Sequence, residues 1–273
     1  MQRIATVIAA GALVLGMACS SDNTTTGSTS DSTTITSDIA PEMADAFADD
    51  VDLMSGMDGT TGNIAGAPAA FEDLFGPGGF RPHLTGCTFA NGSFTCPATR
   101  ANGLNVTRTI TFYDEGGQTQ DHYDSLLTAS IHVVAEISGD KSNGPWSATV
   151  DRHRDFTITG LLGTETTRTV NGTGNETVSR SRSTANTRSY DLSCSSTVTD
   201  VVFPVNSSNG SNGWPVSGTI TRTCTVTVTG GPNDGKTYTR TVTITFDGTS
   251  SPSGTINGTP YTFDLAARAA MKR

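Results

Sequence analysis

Basic residues are missing from a long early stretch of this chain. Positions 19 to 80 hold no lysine or arginine, and eleven acids fall there. Lysine is scarce throughout, with three against fourteen arginines, and the whole chain carries a net charge of −9. A protein without a basic surface cannot replace the counterions of a polyanion, which excludes nucleic acid as a partner. No apolar run reaches the roughly 18 residues of a membrane-spanning helix. Catalytic signatures are absent as well: there is no GxSxG elbow, HExxH helix, Walker loop or GxGxxG turn. The cysteines include no CxxC pair and so lack zinc-ligand spacing. No metal or cofactor is indicated. The four histidines, His83, His122, His132 and His153, are scattered. The densest polar clusters are Asp121-His122 with Asp124, and Asp151-Arg152-His153-Arg154-Asp155. Both read as turns or exposed strand faces.

What is present begins at the N-terminus. Met1-Gln2-Arg3 is followed by an apolar run, Ile4 to Met17, then Ala18, Cys19 and a polar stretch. One basic residue, a short apolar segment and a small residue before a cut describe an export signal. A cysteine directly after that cut resembles the lipobox of bacterial lipoproteins, and the resemblance covers residues 1–19. Gly16 stands where the family has a large aliphatic residue, and Gly16 with Ala18 also suits an ordinary signal peptidase. The resemblance implies lipidation of Cys19 and a membrane anchor facing the outer membrane or periplasm; the plain alternative is secretion. Cysteine arithmetic favours the lipid. Of five cysteines, setting Cys19 aside leaves four, enough for two bridges in an exported protein.

Five segments follow from these shifts: a signal peptide (1–18), a flexible Ser/Thr-rich tether (19–40), an acidic, partly helical segment (41–80), a β domain (81–265) and a basic C-terminal tail (266–273). In the third, Met43, Phe47, Val51 and Met54 recur at helical spacing from Pro41 onward, with Asp38 placed to cap the start. A second short turn is expected at Ala69 to Phe75.

From Thr85 onward the period is two. Thr237, Thr239, Thr241, Thr243 and Thr245 alternate with Tyr238, Val242, Ile244 and Phe246, the pattern of a half-buried strand. Thr219 to Thr229 repeats it, and Gly230 to Gly235 supplies the turn between them. Further strands are expected at Asn105–Tyr113, Ser125–Ser138, Trp146–Thr159, Glu165–Val170, Glu176–Ser183, Arg188–Phe203 and Pro260–Asp264. Hairpin-length links connect antiparallel neighbours. The expected fold is all-β: an up-and-down meander of about ten Thr-rich strands, closed as a barrel or arranged as two sheets.

Register fixes the bridges. Asn91-Gly92 is a preferred two-residue hairpin turn. It sets Ala90 opposite Ser93, Phe89 opposite Phe94, and Cys87 opposite Cys96, at a separation a disulfide accepts. Pairing Cys194 with Cys224 places Val198 opposite Ile220 and Val202 opposite Val216, apolar against apolar. The chain-entropy treatment gives the two bridges roughly 2.5 and 3.5 kcal/mol.

The motif Thr-Arg-Thr recurs around Arg108, Arg168, Arg222 and Arg240, each on the apolar parity of its strand. Arg154, Arg180 and Arg188 share that parity. Arginine tolerates burial and grips carboxylate or phosphate with a planar fork. These residues are therefore candidates for an inner surface that holds an anionic or amphiphilic ligand. The plainer readings put them at strand ends with heads in water, or paired internally with Glu176 or Asp200. Trp146 and Trp214 lie beside Pro, Gly and Asn, where an indole could stack on a sugar or a partner, or fold back over the core. Together these features point to a non-catalytic binding or structural module of the cell envelope, held at the membrane by its lipid and open to an envelope protein or glycan. The alternative is a carrier or enzyme that uses the arginine-lined face.

Overall fold

The computed structural model describes residues 29–55, 87–100, 102–124, 126–162, 165–183, 187–204 and 214–273. Cys19, the signal segment, the turn expected at Ala69 to Phe75 and most of the loop after Pro204 lie outside them. Among these residues one helix, α1 (Thr29–Met54), precedes thirteen strands: β1 (Thr88–Ala90), β2 (Ser93–Thr99), β3 (Asn105–Asp114), β4 (Thr119–Gln120), β5 (Thr128–Asn143), β6 (Trp146–Thr159), β7 (Thr167–Arg182), β8 (Arg188–Pro204), β9 (Ser217–Thr229), β10 (Thr237–Thr245), β11 (Ser253–Ile256), β12 (Thr259–Asp264) and β13 (Ala269–Lys272).

All thirteen strands form one antiparallel sheet in sequence order, with β4 folded back on β3. The outermost strands, β1 and β13, do not pair with each other, so the meander is an open sheet and not a closed barrel. It curls around α1. Side chains of β5 to β10 and of β12 reach the helix, β13 runs beside it, and from Ile39 to Met54 it is buried on almost every side. Period-two alternation makes this possible. Threonines of β9 and β10 face outward in matched pairs, Thr223 with Thr241 and Thr225 with Thr239. The other parity turns inward onto the helix.

Both bridges form as register requires. Cys87–Cys96 closes the β1–β2 hairpin with Cα atoms 4.2 Å apart, and Cys194–Cys224 joins β8 to β9 at 4.0 Å. Asn91 and Gly92 take positive φ, 53° and 79°, as a tight primed turn demands. Two disulfides mark an oxidising, exported environment. Among the described residues no helix is long and apolar enough to cross a membrane.

Several expectations need correction. The helix begins at least twelve residues before Pro41, inside the stretch read as tether, and Pro41 lies within it. Asp38 is therefore not a cap; its carboxylate accepts the Tyr190 hydroxyl at 2.5 Å. Tertiary contact overrides a poor local signal here, because proline forfeits one helical hydrogen bond. The two strands expected at 165–170 and 176–183 are one, β7. Gly172 and Gly174, in the gap between those ranges, serve close approach: a Cβ on Gly174 would lie 2.6 Å from Arg154 Cδ. Val202 pairs with Ser217 and not Val216, because a bulge at Asp200 (φ 47°) shifts the register by one residue. The supposed basic tail contains β13, paired with β12 through Phe263 and Ala270.

Candidate functional site

The inward parity of the central strands carries an unusual row. Arg152 (β6), Glu176 (β7), Cys194 (β8), Cys224 (β9) and Arg240 (β10) are successive cross-strand neighbours. The next row runs Arg108, Ala135, Arg154, Gly174, Ser196, Arg222. Long guanidinium stems alternate with small residues there, which gives the stems room to lie along the sheet. These arginines are not at strand ends. Arg152 and Arg222 have no exposed surface, and Arg154 has 1%.

Their partners come mainly from α1. Its acids at 38, 42, 45, 49 and 52 follow helical spacing and form one face, and Asp50 lies beside it. Asp50 accepts from Arg154 Nε at 2.5 Å and from Arg222 Nη2 at 2.7 Å. Glu42 accepts from Arg152 Nη2 and Lys141 Nζ, both at 2.7 Å. Asp49 takes hydrogen bonds from Arg100, Arg152 and Arg268. Arg268 also reaches Asp45 at 2.9 Å and bonds Asp52. One acid comes from the sheet: Glu176 receives Arg152 at 3.1 Å, Arg154 at 3.0 Å and Arg222 at 3.1 Å. Six carboxylates (Glu42, Asp45, Asp49, Asp50, Asp52, Glu176) thus meet six cations (Arg100, Lys141, Arg152, Arg154, Arg222, Arg268). The network balances its own charge.

Electrostatics follow from that arrangement. Burial opposes the charge on Glu176, but Arg222, Arg152 and Arg154 outweigh it and hold the carboxyl at about 2. Asp49 is likewise buried, and Arg100, Arg152 and Arg268 hold it well below the usual carboxylate range. Asp52 goes the other way. Burial raises it to about 6; Arg268 opposes the shift, and Asp49 and Asp45 add to it. Burial works against the Arg152 guanidinium, yet Asp49, Glu176 and Glu42 keep it more basic than an ordinary arginine.

The residues singled out in sequence separate into different surroundings. Arg222 and Arg240 meet α1; Arg240 donates to Thr36 Oγ1 at 3.1 Å and Ser32 Oγ at 3.0 Å. Arg108 sits beside the first bridge, opposite Cys96. Arg168 donates to the Gly160 carbonyl, near Tyr123. Trp214 is buried at 6% exposure. Trp146 lines a cleft of about 780 Å3, between the β5–β6 turn and the segment before β13, and none of those four arginines lines it. The cluster at 151–155 divides by parity. Asp155 faces out to His132 (2.7 Å) and His153 to Glu136 (2.6 Å), while Arg152 and Arg154 turn in. Internal pairing with Glu176 is present. Asp200 instead bonds Asn171 at 3.1 Å.

Arg100, Lys141 and Arg268 escaped the sequence reading. Arg152 shares the apolar parity of Val150 and Phe156, so the same alternation could have found it. Glu176 lies close enough to the Cys194 and Cys224 sulfurs to suggest a metal cage, but those sulfurs are bridged and offer no thiolate.

The chain matches no protein-family model, no curated protein and no solved structure. Its reading therefore rests on its own geometry: an open antiparallel meander whose arginine-lined inner face is occupied by the chain's own acidic helix.

Proposed function

We propose that this is a non-catalytic envelope module, held at the membrane through a lipid on Cys19, in which α1 bolts the anchor to the β domain. The observation that carries this reading is the burial of α1 on the arginine-lined face. Thr29 follows Cys19 by ten positions, a reach of about 35 Å when fully extended. The helix enters beside Tyr190 and Arg240, at the end of the sheet where β8 begins and β9 meets β10. A pull on the tether would pass directly into a charged, disulfide-braced core.

The alternative, an inner face open to an anionic ligand, loses support because Glu42, Asp49 and Asp50 already supply the carboxylates. Mass spectrometry of the mature N-terminus tests the anchor, and fractionation of a Cys19→Ala variant tests its consequence. An acylated Cys19, and release of the variant into the soluble fraction, are the expected results. An unmodified Cys19 ends the anchored reading. Pull-down from intact envelopes with the lipidated protein then identifies the partner.

A further inference from the structure

Arg180 is an inward cation outside the network. Arg180 of β7 lines the 780 Å3 cleft and is 6% exposed. Its Nε is enclosed without a partner, and the one carboxylate within ion-pair range, Glu42 Oε2, stands 4.0 Å away. Among the described residues its guanidinium makes no hydrogen bond. It lies over the Trp146 ring, 4.4 Å from the centroid. Arg152, Arg154 and Arg222, by contrast, each donate to at least two carboxylates, although Arg222 Nε is enclosed without a partner as well.

Burying a guanidinium without a hydrogen-bonded counter-ion is costly. The desolvation is visible: burial pushes Arg180 below the ordinary arginine value despite Glu42 and Asp38. An arginine stacked on an indole keeps its planar fork fixed and ready for an oxyanion. The cleft volume falls within the range of small-molecule sites. Of the acids on its wall, Glu42, Asp45 and Asp52 are engaged by Lys141 and Arg268, and Asp140 accepts the Thr149 hydroxyl at 2.6 Å. Asn102, Ser142 and Asn143 add neutral hydrogen-bonding groups to the wall.

We propose that Arg180, backed by Trp146, receives the carboxylate or phosphate of a small hydroxylated anion, with Asn102, Ser142 and Asn143 taking its hydroxyls. This site is independent of the anchor, so its test stands whether or not Cys19 carries lipid.

The experiment is a fluorescence titration of the full mature chain carrying Trp214→Phe, so that Trp146 alone reports. Glucuronate probes the carboxylate source, inorganic phosphate the phosphate source, and glucose is the neutral control. A saturable change with either anion, little with glucose, and about tenfold weaker binding in Arg180→Gln are expected, the loss of one charge-assisted pair. The tighter anion identifies the source. Asn143→Ala, at the exposed end of β5, serves as second variant should Arg180→Gln fail to fold, and is expected to weaken glucuronate. Silence with both anions, an equal response to glucose, or binding unchanged in the folded variants would overturn the proposal.

Discussion

Asp50 of α1 and Glu176 of β7 grip the same two guanidiniums. Arg154 gives Nε to Asp50 and Nη2 to Glu176; Arg222 gives Nη2 to Asp50 and Nη1 to Glu176. Helix and sheet are thereby joined by a closed ring of four charges, all but inaccessible to water. Such a ring adds little over a well-packed apolar core, but breaking it strands a buried charge. It also explains how α1 exists. Asp49, Asp50 and Asp52 crowd its C-terminal turn, where the helix dipole disfavours anions, and no basic residue of its own lies there. Arginines from elsewhere supply the missing charge.

Glu176→Gln should therefore lower the unfolding free energy by about 3–5 kcal/mol, since three arginines lose their shared counter-ion. Asp50→Asn should cost a similar amount. The double variant should cost less than the sum, because both singles damage the same ring. Urea titration of the four proteins measures this; strict additivity would mean that the ring does not act as a unit.

Acid should release the helix. Glu176 falls from its ordinary 4.5 to about 2 on folding, and Asp49 is also depressed. A depressed carboxyl contributes stability that is complete above its unfolded value and lost as pH falls toward the folded one. Stability should thus fall steeply from about pH 4.5 to pH 2. Asp52, raised to about 6, acts oppositely and gains slightly as pH drops from 6 toward 4. Thermal midpoints across pH 2 to 7 read the curve. Glu176→Gln should flatten its acid limb, and Asp52→Asn should remove the small gain above pH 4.

Much of this was legible in sequence, and the failures have physical causes. Alternation located the strands and put the arginines inward, because side-chain direction in a strand is fixed by parity. Asn91-Gly92 fixed one bridge outright. The other needed only that apolar residues oppose one another, and failed locally at Asp200, where a bulge inserts a residue that no alternation announces. The extent of α1 was hidden because Thr and Ser from 29 to 37 favour coil and Pro41 favours a start. The seat of the acidic face was hidden too, since it depends on residues 51 to 223 positions away in sequence, from Arg100 to Arg268.

Gly174→Ala should be far more damaging than its size suggests. The added methyl meets Arg154 Cδ at 2.6 Å, Ser196 Oγ at 2.8 Å and the His153 carbonyl at 3.0 Å. Arg154 must leave the ring or the strands must part, at a cost of about 1–3 kcal/mol. Gly117→Ala is the contrast, with nothing within 4 Å though its φ is +76°. Urea midpoints should place the first variant well below the second.

The bridges should differ in what they protect. Non-reducing peptide mapping should recover Cys87–Cys96 and Cys194–Cys224. Replacing the second pair by serine should cost about 3.5 kcal/mol and the first about 2.5 from loop entropy alone. The second loss should be larger still, because Cys224 Sγ packs 3.7 Å from Met43 Sδ and forms part of the seat of α1.

Arg268 tests whether the last strand closes over the helix. Its backbone turns through φ 52° into β13, and its guanidinium reaches Asp45, Asp49 and Asp52. Arg268→Ala leaves Asp49 to Arg100 and Arg152 but takes the only cation from Asp52 among the described contacts. A loss of about 2 kcal/mol is expected, a charged hydrogen-bond pair reduced by partial exposure. Removing residues 266–273 should go further and open the side of α1 that β13 covers. A glutamate-specific protease should then cut after Glu42, which is 4% exposed in the intact domain. Equal resistance of Glu42 in the intact and truncated proteins would mean that the helix is held without β13.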